Sequence, residues 1–96
     1  MRSEGLRFEI LVNGERRCVV GSVGPGTLAA DVLRWQSRTS EEPTEVADLI
    51  VHASRTADGR SVRWLQEELG PGDEVTIRVL GPGECDEPSH SEPLDD

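Results

Sequence analysis

The 96-residue chain predicts an α+β domain, a mixed four- to five-stranded sheet packed on one main helix, followed by a disordered acidic C-terminal tail. Three observations carry this. Residues 6–12 and 75–79 alternate apolar and polar side chains with the period of a half-buried strand. Residues 27–38 place Leu28, Val32 and Trp35 at i, i+4 and i+7, one stripe of a helix. Beyond Gly83 there is no periodicity, and six acidic residues stand with no basic one.

In chain order, Leu6, Phe8, Ile10 and Val12 form the buried face of strand one, with Arg7, Glu9, Leu11 and Asn13 opposite. Asn13-Gly14 is a strong hairpin signal, because both residues tolerate the positive φ of a type I′ turn. The return strand runs over residues 16–23, with Cys18 and Val20 on one side and Arg17 and Val19 on the other, until Gly24-Pro25-Gly26 breaks it. Thr27 caps the expected helix, and Arg34 and Arg38 sit at its negative C-terminal end. A strand over 27–38 would put Asp31 on one face with Leu33 and Trp35, so the helix is preferred, with Trp35 in the core. After a polar loop containing Pro43, strand three covers residues 46–53, with Leu49, Val51 and Ala53 inward and Ile50 and His52 outward. Asp58-Gly59 turns the chain. Residues 61–69 read as a short helix with Val62, Leu65 and Leu69 on one face and Trp64 adjoining. Pro71-Gly72-Asp73 turns it again, and Val75, Ile77 and Val79 line the last strand.

Charge narrows the function. The net charge is −9, all ten basic residues are arginine, and no lysine or tyrosine occurs. Residues 1–83 set those ten arginines against thirteen acidic residues, and 84–96 add six more acids. Such a chain repels phosphate backbones and has three aromatic residues for stacking, so no nucleic-acid partner is expected. No apolar run approaches a membrane span, and the N-terminus lacks a signal-peptide core, so no membrane partner and a cytoplasmic location are expected. Two cysteines, Cys18 and Cys85, are too few for a disulfide framework and read as free thiols.

The order strand, hairpin, strand, helix, strand, short helix, strand resembles the ubiquitin-like β-grasp family. The resemblance rests on Leu49-Ile50-Val51 and Asp58-Gly59-Arg60-Ser61, similar to ubiquitin, and on Leu69-Gly70-Pro71-Gly72-Asp73-Glu74-Val75, similar to the sulfur carriers of thiamine and molybdopterin synthesis. It implies a sheet wrapped on the helix, with the first and last strands parallel at its centre. It divides the chain into a β-grasp domain over 1–83 and a tail over 84–96. It also implies a small non-enzymatic protein acting as a protein modifier or protein-interaction module, with an activating enzyme or processing peptidase among its partners. In that family a terminal diglycine carboxylate is adenylated and passed on as a thioester or thiocarboxylate. Here Gly81-Pro82-Gly83 interrupts the pair and thirteen residues follow, so Gly83 is the conjugation terminus only after trimming. The partner-binding residues implied are Ile50, His52, Arg78 and Leu80, although Arg78 stands where the family has an apolar residue.

No enzyme, cofactor or metal site is expected. Cys18, Cys85, His52 and His90 match no zinc spacing, and Cys18 with His52 lacks an orienting third group. Two further functions compete: an acidic inhibitor or immunity-type protein that neutralises a basic partner, and a small β-barrel binding module, which needs a strand over residues 27–38.

Overall fold

The computed structural model describes residues 2–21, 26–37, 44–55 and 59–93, and the elements there are all strands. They are β1 (Arg2–Ser3), β2 (Arg7–Val12), β3 (Glu15–Val20), β4 (Gly26–Ser37), β5 (Thr44–Arg55), β6 (Arg60–Leu69), β7 (Val75–Leu80), β8 (Gly83–Glu84) and β9 (His90–Pro93). They make three antiparallel sheets: β1-β8, β3-β2-β7 and β4-β5-β6-β9. The two larger sheets meet in one apolar cluster. Ile10, Val12, Cys18 and Val20 come from β2 and β3, and Leu49, Val51, Ala53, Val62 and Trp64 from β5 and β6.

The first hairpin forms as expected. Asn13 (φ 54°) and Gly14 (φ 80°) both take positive φ, as a type I′ turn demands. A bulge then separates the pair Ile10–Cys18 from Leu11–Arg16 and leaves Arg17 as the extra residue. Beyond it Cys18 and Val20 oppose Ile10 and Phe8 on the core face, while Val19, on the other face, is buried where Asp86 bonds it.

The β-grasp expectation is overturned. Residues 26–37, read as the main helix, form strand β4, paired with β5 from Gly26–Arg55 to Ser37–Thr44. The pattern that suggested a helix also fits alternation, because Leu28, Ala30 and Val32 oppose Ala53, Val51 and Leu49 on the core face. Asp31 is not wasted in a buried position. It lies on the outer face, where its Oδ2 accepts a hydrogen bond from His52 Nε2 at 2.8 Å. The backbone of Trp35 runs in β4, but its side chain and residues 38–43 lie outside the described residues, as does the expected core role of Trp35.

Residues 61–69 are likewise strand, not short helix. Here a bulge mimics the helical stripe. Val62 pairs with Ala53 on the core face, the register shifts opposite Val51 and His52, and Leu65 then opposes Val51 and Leu69 opposes Ala47. Trp64 is the inserted residue and is buried. One extra residue turns a period of two into an apparent i, i+3, i+7 pattern.

The last long strand, β7, pairs with β2 antiparallel from Arg7–Leu80 to Val12–Val75, where parallel pairing was expected. The parallel arrangement requires a crossover helix, and no helix exists among the described residues. The turn before β7 has Pro71 followed by Gly72 (φ 89°), and Asp73 N donates to Gly70 O at 3.1 Å while Gly70 N donates to Asp73 Oδ2 at 2.8 Å. This is the pattern of a type II turn.

The tail expectation is corrected as well. Residues 84–93 are placed on the body, and 94–96 lie outside the described residues. Arg7 bridges Gly81 O and Glu84 O through Nε and Nη1, each at 2.7 Å. Asp86 N donates to Val19 O at 2.8 Å, Asp86 Oδ2 accepts from Val19 N at 2.9 Å, and Asp86 O accepts from Trp64 Nε1 at 2.8 Å. Ser89 N donates to Arg63 O at 2.9 Å, and β9 then pairs with β6. Polar side chains suffice because the segment meets the body through backbone groups, which composition does not display.

A chain ending at Gly83 loses the bonds made by Glu84, Asp86 and Ser89 and uncovers the indole of Trp64. At about 1 kcal/mol net per hydrogen bond, truncation costs about 3 kcal/mol or more, read as a lower denaturation midpoint. A midpoint equal to that of the full chain would show that residues 84–93 contribute nothing.

Candidate functional site

Cys18 is buried in β3, and burial lifts its pKa from 9.0 to about 11, with the nearby Asp86 carboxylate adding to the rise. Burial likewise raises the thiol of Cys85. Both are therefore protonated at neutral pH, the opposite of an activated nucleophile. Trp64 serves packing. Among the described residues, no three or more His, Cys, Asp or Glu side chains gather where they could hold a metal ion.

The four expected partner-binding residues fall on different sheets. Ile50 and His52 lie on the outer face of β5, while Arg78 and Leu80 lie on β7. Ile50 and His52 line a shallow cup of about 220 Å³ with Ser61, Val62, Arg63 and His90. The register explains the cup, since His52 opposes Arg63 and Arg63 opposes His90 across three adjacent strands. Gly83, the expected conjugation terminus, pairs with Ser3 in the β1-β8 ribbon. A Cβ added there would sit 2.8 Å from the Arg7 guanidinium carbon, so this glycine lies beneath the side chain that spans it.

The most unusual surface is the free edge of β7. Val75, Ile77 and Val79 oppose Val12, Ile10 and Phe8 and so share the core face of β2. Ile10 is 0% exposed, yet Ile77 is 44% and Val79 61% exposed. The core face thus runs on past the covered core to the sheet margin, and Leu6 is bare as well.

The backbone adds to this. Asn13 N donates to Glu74 O at 2.8 Å, so the pair that continues the β2–β7 register beyond Val12–Val75 is hydrogen-bonded. Antiparallel pairs alternate, so Thr76, Arg78 and Leu80 turn their N–H and C=O toward β2. Val75, Ile77 and Val79 turn theirs outward. The apolar core-face side chains, exposed at Ile77 and Val79 and partly buried at Val75, and the outward backbone groups belong to the same three residues.

The usual guards of an edge strand are missing here. The β2–β7 register runs without a bulge, and β7 holds no proline. Its one charge, Arg78, lies on the face away from the core and is met by Glu9 Oε1 at 3.2 Å. The other long edge, β4, also exposes apolar residues, Val32 and Leu33, but it is guarded by charge. It carries Arg34 on its core face, paired with Glu45 at 3.1 Å, and Asp31 on its outer face. The β3 edge is occupied at Val19 by Asp86.

Among the described residues the architecture is thus all-antiparallel β, its three-stranded sheet met at Val19 of β3 by the C-terminal segment and open along β7. No protein-family model, curated protein or solved structure matches the chain. Of the expected site residues, Arg78 and Leu80 lie on the edge strand; for Val75, Ile77 and Val79 the sequence predicts only the alternation of a strand. Their alternation was visible, but which strand becomes the sheet margin is a matter of topology.

The thiols give a test in alkali. Each pKa is raised on folding, so the protonated form is the one the fold favours. Its stabilisation is full below pH 9 and is lost as pH rises from 9.0 to about 11, at up to about 1.4 kcal/mol per pH unit for Cys18. With no lysine or tyrosine in the chain, few other groups titrate there. Melting temperature should fall over this range and stay level in a Cys18→Ala/Cys85→Ala variant. An equal fall in the variant would refute the assignment.

Proposed function

We propose that the protein is a non-enzymatic protein-interaction module that takes an extended protein segment along the β7 edge, by strand addition. The observation that carries this is the coincidence, at Val75, Ile77 and Val79, of core-face side chains, exposed at Ile77 and Val79, with outward backbone donors and acceptors. An added strand would satisfy those groups and extend the apolar face, the combination by which strand-addition modules obtain affinity from backbone and specificity from alternate side chains. The modifier expectation rested on a ubiquitin-like fold, whereas the described elements are all antiparallel strands.

Proline separates binding from folding. Val79 N–H faces outward, so Val79→Pro leaves the β2–β7 ladder whole and removes a donor from the edge. Thr76→Pro instead removes a ladder hydrogen bond within the sheet, where proline is not accommodated. The expected result is that Val79→Pro keeps a near-native melting temperature and loses the partner, while Thr76→Pro loses the fold. Undiminished partner binding by folded Val79→Pro would place the interface elsewhere.

A further inference from the structure

The β7 edge is complementary to itself, and we infer that its occupant is a second copy of this chain, joined β7 to β7 about a two-fold axis through Ile77. The inference rests on the strand-addition reading of this edge and names the partner.

The backbone phase restricts the register. Outward groups sit on Val75, Ile77 and Val79, so an antiparallel neighbour must set outward residues against outward residues. Centred on Ile77, the strand opposes Val75 to Val79 of the second copy, Ile77 to Ile77 and Val79 to Val75, each pair exchanging two backbone hydrogen bonds. Side chains agree with this register. Apolar residues meet apolar residues on the core face, and Thr76 meets Arg78 on the other. Moving the axis to Arg78 sets two guanidinium groups opposite one another. Moving it to Thr76 sets Val79 against Asp73, beyond the end of β7. The Ile77 register alone uses the whole run from Val75 to Val79 without opposing like charges.

Charge also fits. Glu74 opposes Leu80 of the second copy and is diagonal to its Arg78, a spacing of about 7–8 Å between backbones that long side chains can span. The Glu9 carboxylate already lies 3.2 Å from Arg78 and 3.7 Å from Arg16, so the guanidinium enters the interface with its charge partly compensated. The pairing is isologous: each copy offers the same patch, which closes the assembly at two and leaves no further β7 edge to propagate a fibre. It joins two three-stranded sheets into one of six.

The test uses the full chain. Sedimentation equilibrium should show a reversible monomer–dimer equilibrium, and Val79→Pro should weaken the dimer by about tenfold or more while melting near wild type. The symmetric register brings the two Ile77 Cα atoms to about 5.5 Å, within disulfide reach. An Ile77→Cys chain should therefore oxidise to a covalent dimer, whereas Thr76→Cys, opposite Arg78, should not. A chain that stays monomeric at every concentration overturns the second-copy inference. If an extended segment of another protein is then found to protect the Val75, Ile77 and Val79 amides, the β7-edge reading survives alone. A dimer indifferent to Val79→Pro and not trapped by Ile77→Cys uses another face, and also overturns the inference.

Discussion

The structure depends on the clasp formed by Asp86. Its backbone and carboxylate take both hydrogen-bonding groups of Val19 on β3, and its carbonyl takes the indole N–H of Trp64 on β6. One residue thereby ties the two larger sheets together on one side. Buried hydrogen bonds contribute about 1 kcal/mol each when made and cost more when one partner is left behind. Trp64 raises the stake, because its buried N–H needs an acceptor. The clasp also decides what remains open. Once the C-terminal segment has covered β3, the matching margin of the same sheet, β7, is left with no neighbour beyond β2 among the described residues.

The opposed faces explain why a small core holds. Ile10, Val20, Leu49 and Val51 are fully buried, and Val12 and Ala53 nearly so. Ion pairs sit outside this cluster: Arg17 with Glu67 at 2.8 Å, Arg34 with Glu45 at 3.1 Å and Arg78 with Glu9 at 3.2 Å. Exposed pairs of this kind contribute at most about 1 kcal/mol each. They choose register and neighbours more than they stabilise. Arg17–Glu67 is the informative one, since it joins β3 to β6 beside the Asp86 clasp and strengthens the same closed side.

What the sequence made legible was local. The Asn13-Gly14 turn, the inward set Leu49, Val51 and Ala53, the outward placement of Ile50 and His52, and the alternation of β7 all follow from turn chemistry and period alone. The errors came where a short segment satisfied two periods. Leu28 and Val32 are one stripe of a helix and also one face of a strand, and only the β5 neighbour decides between them. In β6, the bulge at Trp64 imitated helical spacing. The docking of residues 84–93 was illegible because it runs through backbone groups and one aspartate. Of the candidate site only the alternation of β7 was legible, because the edge exists only where β7 pairs with β2 on one side alone among the described residues.

The phase of the β2–β7 ladder is the point on which the open edge stands. Non-hydrogen-bonded antiparallel pairs bring Cα atoms to about 4.5 Å, against about 5.5 Å for bonded pairs, and short cross-strand Hα–Hα contacts in nuclear Overhauser spectra mark the first kind. Strong contacts are expected for Ile10–Ile77, Phe8–Val79 and Val12–Val75. Strong contacts for Glu9–Arg78 and Leu11–Thr76 instead would turn the backbone of Ile77 toward β2 and contradict the account.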